Sequence, residues 1–202
     1  VGEEAAPRPA CAQTRPAHLA ASMLRLFGWK SSPYTAKVRS FLHYKGIAFE
    51  DVSPSCLRLL WNSRFTGRIQ MPALLYPDGT WRLDSADSMD ELERSHPSRS
   101  TSPRGPRQRL ASSLLELHGD EWFPLLGLHY RWNDAKNARW AAREFGKCGF
   151  PWLPSALSTA LADPLASQMQ SYRRTQGIGP DTIEGIERYA HALIAEVLLP
   201  TA

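Results

Sequence analysis

Cysteine is scarce in this chain, and long apolar runs are missing. Its 202 residues include only three cysteines, Cys11, Cys56 and Cys148, without metal-like or redox-pair spacing. Free thiols in a reducing compartment are therefore expected. The six histidines form no ligand-spaced cluster, so we expect no metal site. No stretch is long and apolar enough to predict a transmembrane helix.

Acidic residues are absent between Ala5 and Phe49, although arginine, lysine, serine and alanine are frequent there. The formal net charge of the whole chain is +4. This excess does not by itself indicate a nucleic-acid partner, because the sequence lacks a compact cluster of lysine or arginine interleaved with aromatic residues. We expect no nucleic-acid binding.

Residues 1–22 form an extension of low complexity, rich in Ala and Pro and without periodicity, which cannot bury a core of its own. The chain begins at Val1, whereas Met23 lies where a folded domain would start. Organelle targeting peptides are poor in acidic residues and rich in Arg and Ser. One interpretation is a processed protein of a plastid or mitochondrion. The other is a cytoplasmic protein whose first residue reflects a cloning boundary or an incomplete sequence.

The first folded segment, residues 23–97, reads as strand-helix-strand-helix-strand-strand-helix. An apolar run from Met23 to Trp29 is followed by Ser32-Pro33-Tyr34-Thr35. A serine directly before a proline favours the start of a helix, since the hydroxyl can cap free amides and proline suits the first helical position. Gly46 is placed to end that helix before a second strand.

Three further motifs follow in order. Pro72 stands directly before the apolar strand 73–76, and Asp78-Gly79 is a typical hairpin dipeptide before a strand at 80–83. Asp84-Ser85 then opens an acidic helix. A polar linker with Pro and Gly spans residues 98–106.

Beyond the linker, residues 107–202 show helical periodicity. The predicted helices are 110–128, 134–147 and 155–172, with a last helix opened by an Asp181–Glu184 capping box. The first of these helices has apolar residues at Leu110, Leu114, Leu117 and Trp122, and the second has an expected buried stripe of Trp140, Ala141 and Phe145. The apolar positions of the last helix are Ile183, Ile186, Tyr189, Ala190, Leu193, Ile194 and Val197. The fold class is therefore α/β followed by all-α.

Taken in this order, the motifs resemble those of glutathione transferases. The Ser32-Pro33-Tyr34-Thr35 segment is similar to the Cys-Pro-Tyr-Cys of glutaredoxins with both thiols replaced by hydroxyls. The resemblance implies a thioredoxin-like domain in which Pro72 is cis and Met71 offers its backbone to glutathione. It also implies that Asp84 and Ser85 hold the γ-glutamyl end.

In this resemblance Ser32 is the catalytic residue, because its hydroxyl would stabilise the thiolate of glutathione. Lowering a thiol pKa of about 8.5 by two units needs roughly 2.7 kcal/mol. A hydrogen bond to a charged group contributes roughly 1.5–3 kcal/mol and a helix N-terminus about 0.3–1 kcal/mol, so one serine suffices. The alternative is that Ser32 only caps its helix.

Weaker candidates surround this site. Arg64 and Arg68 could meet the glycyl carboxylate, although solvated surface charges are favoured. His129, Tyr130 and Trp132 could line a pocket for a second substrate, but aromatic residues at helical spacing are more often core, and we favour core. Thr35 and Ser31 are secondary hydroxyl candidates.

Two functions stay open. One is a glutathione transferase-like enzyme that uses glutathione as substrate and conjugates it to a small electrophile. The other is a non-catalytic, transferase-like accessory subunit of a larger photosynthetic or respiratory complex. The helical half is shorter than is usual for the family, so either a partner covers its exposed face or the native chain continues past Ala202. Of these we expect a partner, with residues 181–199 and the N-terminal arm in contact with another polypeptide. The competing arrangement is a monomer in which residues 110–128 cover the last helix.

Overall fold

A computed structural model describes residues 23–198, with the side chains of residues 197 and 198 left out of the description. The predicted low-complexity extension, residues 1–22, lies outside the described residues, as do residues 199–202.

The N-terminal domain is built on a mixed four-stranded sheet. Its strands are β1 (Leu24–Phe27), β2 (Phe49–Val52), β3 (Ala73–Leu75) and β4 (Trp81–Arg82), in the order β2-β1-β3-β4. β1 pairs parallel with β2 and antiparallel with β3, and β3 pairs antiparallel with β4. This confirms the predicted thioredoxin-like element order.

Three helices complete this domain, namely α1 (Pro33–Lys45), α2 (Cys56–Thr66) and α3 (Ser85–Ser95). The predicted local signals have the expected geometry. Ser32 caps α1, and Gly46 ends it in the left-handed conformation at φ 69°, which favours glycine. Asp84 caps α3 through its side chain.

The C-terminal region is helical, as expected. It contains α4 (Pro106–Trp132), α5 (Ala135–Gly149), α6 (Ser155–Thr175) and α7 (Pro180–Ala192), which continues as a π-helical turn (Leu193–Leu198). None of the helices within residues 23–198 is long and apolar enough to cross a bilayer.

Two buried clusters hold the structure together. The first lies between the sheet, α1 and α3, and consists of Leu24, Leu26, Val38, Phe41, Leu42, Leu74 and Leu92. The second joins the two regions of the chain and consists of Trp29, Leu59, Trp132, Ala141, Phe145, Ala162 and Ala166. The N-terminal domain is thus packed against α4, α5 and α6 around Trp29.

Two predictions about the helical region were wrong. The last helix begins at Pro180 with Gly179 as its N-cap, and the Thr182 hydroxyl accepts the Gly179 N–H at 3.0 Å, so Asp181 and Glu184 form no capping box. Trp140 is exposed, whereas Ala141 and Phe145 are buried as predicted. The buried stripe of α5 follows residues spaced by four, and Trp140 lies about 100° away from Ala141.

The packing of the last helix is intermediate between the two expected arrangements. The middle of α4 covers part of α7, because His118 and Trp122 contact Tyr189. Ala190 is buried, but Ile194 stays about half exposed. The predicted contact with another polypeptide therefore stays a prediction.

Candidate functional site

The strand register brings the predicted site segments to one end of the sheet. Phe27, the last residue of β1, is paired with Ala73, the first residue of β3. Because the two strands are antiparallel, Ser32, which follows β1, and Met71, which precedes β3, lie at the same end of the sheet. Arg82 at the end of β4 pairs with Leu74. Asp84 and Ser85, which follow β4, therefore lie at that end of the sheet as well.

Side-chain contacts link these segments further. The Gln70 Nε2 donates to the Leu83 carbonyl oxygen at 3.3 Å and so joins the segment before β3 to the start of α3. The Met71–Pro72 peptide bond is cis, as predicted. Pro72 is buried, and the half-buried Met71 packs against the cluster that contains Trp29.

Ser32 caps the start of α1, and its hydroxyl proton remains available for a further hydrogen bond. Its Oγ accepts the Thr35 N–H at 3.3 Å, and its own N–H donates to the Trp29 carbonyl oxygen at 3.1 Å. A serine hydroxyl can accept and donate at once. Its capping role is therefore compatible with a hydrogen bond to a bound anion.

Only one carboxylate oxygen of Asp84 accepts hydrogen bonds from the described residues. Oδ1 accepts the N–H groups of Ala86 at 2.8 Å and Asp87 at 3.1 Å. Oδ2 accepts no hydrogen bond within residues 23–198, and the residue is exposed. Ser85 follows at the first helical position and is half-buried. One carboxylate oxygen thus remains available for a cationic group.

Sequence reasoning missed Arg131, which reaches the site from the helical region. Its Nη2 donates to the Ser31 carbonyl oxygen at 2.8 Å, and its guanidinium lies 6.0 Å from the centre of the Phe145 ring. Burial lowers the pKa of Arg131, and the residue forms no ion pair with other described residues. No local pattern could have identified it, because 100 residues separate it from its partner.

A second set of contacts fixes α1 on α4. The Lys37 Nζ lies 2.7 Å from both a Glu116 and an Asp120 carboxylate oxygen, and the Tyr34 hydroxyl donates to the Asp120 carbonyl oxygen at 3.0 Å. Burial alone would lower the pKa of Lys37, but the hydrogen bonds to the two carboxylates raise it. Burial and the nearby acidic side chains raise the pKa of Tyr34. Tyr34 therefore acts here as a structural hydroxyl.

Several weaker candidates can now be placed. Thr35 is fully buried and its Oγ1 has no partner among the described groups, so it is not a site hydroxyl. His129 and Trp132 are buried core residues, as predicted, whereas Tyr130 is partly exposed and the core interpretation was wrong for it. Arg64 and Arg68 are exposed, as predicted for surface charges.

Neither of two clefts found in the described part contains the predicted site residues. One, of about 370 Å³, lies between the β1–β2 face, the start of α2 and Trp152. The other, of about 460 Å³, is lined by Lys45, Tyr76 and Leu92 among others. A common pocket for Ser32, Met71, Pro72, Asp84 and Ser85 therefore stays a prediction.

Within the described residues, Cys56 and Cys148 are not activated nucleophiles. Cys56 and Cys148 are free thiols, and burial raises the pKa of each. Cys11 lies outside the described residues. Within residues 23–198 no group of three or more histidine, cysteine or acidic side chains is arranged to hold a metal ion.

Comparison with known proteins identifies the N-terminal domain. Residues 26–103 match the family model of the glutathione S-transferase N-terminal domain. The N-terminal domain is therefore similar to that of glutathione S-transferases. The match extends from β1 through α3 to the linker, and so includes every segment that converges at the end of the sheet. No curated protein sequence matches the chain.

Several solved glutathione S-transferase structures are similar to the chain at low sequence identity. An enzyme from Methylobacterium radiotolerans in complex with glutathione sulfonate is 19% identical over 87% of this chain and 92% of that one, with a TM-score of 0.46. A Tau class enzyme from mango is 17% identical over 90% and 93%, also at 0.46. One from Methylobacillus flagellatus with bound glutathione is 16% identical over 86% and 96%, at 0.48. These structures are too distant from the chain to assign residue roles or an activity to it.

Proposed function

We propose that this glutathione S-transferase-like protein binds glutathione at the end of its sheet and conjugates it to a small electrophile. The observation that carries this proposal is the convergence of the Ser32, Met71 and Asp84-Ser85 segments, which the antiparallel register of β1, β3 and β4 produces. The match of residues 26–103 to the transferase N-terminal domain supports the same ligand.

Each segment has a defined role in the proposed complex. The Met71 backbone beside Pro72 pairs with the cysteinyl backbone of glutathione. The free Oδ2 of Asp84 and the Ser85 hydroxyl hold the γ-glutamyl ammonium and carboxylate. An ammonium paired with a carboxylate gains a charge-assisted hydrogen bond, which is stronger than one between neutral groups.

The reaction needs the thiolate, and Ser32 supplies its hydrogen bond. The glutathione thiol releases its proton to water, and the sulfur then forms a bond to an electrophilic carbon while the leaving group departs with its electron pair. The Ser32 hydroxyl and the N-terminus of α1 favour the thiolate before this attack. The Arg131 guanidinium, held at Ser31, adds positive charge on the same side.

Substitutions of neighbouring serines test this role. Ser32→Ala is expected to lower kcat/KM for conjugation of a chromogenic aryl halide about 10- to 100-fold, because one hydrogen bond to a charged group is lost. Ser32→Thr keeps a hydroxyl and a cap and is expected to recover most of the activity. Ser31→Ala is the matched control. Activity of Ser32→Ala equal to that of the unaltered protein would reassign Ser32 to capping alone.

Binding is tested separately by titration calorimetry with glutathione. Asp84→Asn combined with Ser85→Ala is expected to weaken binding about tenfold or more, because a charged contact is removed while the Asn still caps α3. Unchanged affinity would count against the proposed γ-glutamyl site. If the folded protein binds no glutathione, the proposed enzymatic function is rejected.

The second candidate function is an accessory subunit of an organellar complex. It is favoured by α4, whose first half exposes Leu110, Leu114, Leu115 and Leu117 to more than half of their surface. Monomeric proteins seldom leave such apolar patches uncovered. Together with Ile194 on the last turn, these side chains fit a contact with another polypeptide, for which residues 181–199 and the N-terminal arm are proposed. A monodisperse monomer with full conjugation activity would reject this function.

A further inference from the structure

The outer face of α2 is more apolar than its inner face. Leu57, Leu60, Trp61 and Phe65 are each more than half exposed, and Ile69 just beyond the helix is 61% exposed. The inner face buries Leu59 together with Asn62, whose Nδ2 has no partner among the described groups. A helix of a soluble domain normally has the opposite polarity.

The same outer face carries only positive charge. Arg58, Arg64 and Arg68 are exposed, and residues 52–77 contain no acidic residue. None of the three arginines forms an ion pair within residues 23–198. The Arg64 guanidinium stacks over the Trp61 ring at 4.8 Å from its centre. At 100° per residue, positions 57, 58, 60, 61, 64 and 65 share an arc of about 160°.

Aromatic residues extend this face on both sides of α2. Phe65 stacks on Trp81 of β4, with ring centres 6.5 Å apart and planes inclined by 8°. At the other end, Arg58 lines the 370 Å³ cleft together with the exposed Trp152. Glu50, which also lines this cleft, is paired with Arg25. The surface therefore combines exposed indole and phenyl rings, aliphatic side chains and arginine. We call it the α2 face.

We propose that the α2 face binds the surface of an anionic lipid bilayer. Helices that lie in a bilayer interface combine Trp, Phe and Leu with Lys or Arg, and each cation near a negatively charged leaflet adds to the attraction. Trp and the long arginine side chains suit the boundary between acyl chains and headgroups. The absence of acidic residues from residues 52–77 removes the repulsion that such a surface would exert.

Lipid fits the α2 face better than a nucleic acid does. Leu57, Leu60 and Ile69 provide aliphatic surface, on which bases do not stack. The three arginines are also few for a groove that must follow a phosphate backbone. This face revises the expectation from the sequence that basic and aromatic residues are not clustered, since the helix brings together residues that are spread over eleven positions.

Co-sedimentation with vesicles tests the proposal on the full chain. We expect binding to vesicles of phosphatidylglycerol and phosphatidylcholine, with partitioning about tenfold weaker to phosphatidylcholine alone and weaker at high salt. Trp61→Ser with Phe65→Ser, and Arg64→Gln with Arg68→Gln, should each reduce partitioning about tenfold or more. The controls are Trp140→Ser and Arg139→Gln, which alter exposed residues of α5 and should leave partitioning unchanged.

Two results would overturn the proposal. One is absence of sedimentation with anionic vesicles, including the case in which a single-stranded oligonucleotide or an acidic protein binds the α2 face instead. The other is equal loss in the α2 and α5 variants. If a variant does not fold, the unaltered chain still decides, because brominated anionic lipid must quench its tryptophan emission. Unquenched emission would reject bilayer contact. Neither outcome bears on the proposed glutathione binding, which depends on the Ser32, Met71 and Asp84-Ser85 segments.

Discussion

Arg131 on α4 donates from Nη2 to the Ser31 carbonyl oxygen at 2.8 Å, directly before the serine proposed to stabilise the thiolate. This hydrogen bond connects the helical region to the loop that precedes α1. The helical region therefore positions the loop, although the loop itself belongs to the transferase-type domain.

Removal of Arg131 should loosen this junction. Arg131→Ala leaves the Ser31 carbonyl without its donor, and we expect a loss of about 1–3 kcal/mol in the free energy of unfolding. Urea unfolding followed by far-UV circular dichroism measures it. Arg139→Ala, at an exposed position of α5, is the control and should change stability by less than about 0.5 kcal/mol. Similar losses in both variants would contradict a specific role for the hydrogen bond.

The ion pair between Lys45 and Glu93 predicts an acid-dependent loss of stability. The Lys45 side chain is fully buried, and its Nζ lies 2.9 Å from Glu93 Oε2. Burial alone would raise the pKa of Glu93, but hydrogen bonds from Ser100, Lys45 and Thr101 lower it to about 2. Since the folded pKa lies below the unfolded value of 4.5, the contribution is present above pH 4.5 and is lost as the pH falls towards 2.

Glu93→Gln measures that contribution. At pH 7 the variant should be less stable by about 1–3 kcal/mol, and the difference from the unaltered chain should shrink between about pH 4.5 and 2. Glu144→Gln is the matched control, because Glu144 pairs with the exposed Lys147 three residues later. We expect less than about 0.5 kcal/mol there. A pH-independent difference for Glu93→Gln would show that its charge is not responsible.

Gly28 leaves space for Thr35 at the start of α1. A Cβ at residue 28 would clash with Oγ1 and Cγ2 of Thr35. Gly28→Ala should therefore destabilise the chain by about 1–3 kcal/mol through overpacking. Combined with Thr35→Ala, which removes both atoms, it should cost less than the sum of the two single substitutions. A double-mutant cycle from thermal unfolding measures the coupling, and additive losses would contradict the contact.

Close packing of α5 on α6 depends on Gly146. A Cβ there would lie 2.7 Å from the Ser158 carbonyl carbon and 2.8 Å from the Thr159 backbone nitrogen, so neither helix can yield without backbone movement. We expect Gly146→Ala to cost about 2 kcal/mol or more. Gly127→Ala is the control, since that exposed position of α4 has no atom within 4 Å of the added Cβ. It should stabilise by about 0.5–1 kcal/mol. Stabilisation by both would refute the α5–α6 contact.

Local signals in the sequence determined much of the N-terminal domain. The cap at Ser32, the end of α1 at Gly46 and the cap at Asp84 depend on side-chain and backbone preferences within four residues. The order of such signals sufficed to predict the order of strands and helices, while the thioredoxin-like topology and the cis Pro72 were implied by the resemblance to glutathione transferases. Where two signals compete locally, as at Pro180 and Asp181, the prediction failed because proline took the first helical position.

Only the tertiary structure decided which predicted faces are covered and which distant residues meet. Periodicity indicates that Leu110, Leu114 and Leu117 share a face, yet they are exposed, because burial requires a neighbouring element that periodicity does not supply. For the same reason the apolar side of α2 faces outward. The contact of Arg131 with Ser31 joins positions 100 residues apart, and no local preference can encode it. The physical basis is that short-range propensities fix elements, while long-range packing fixes sites.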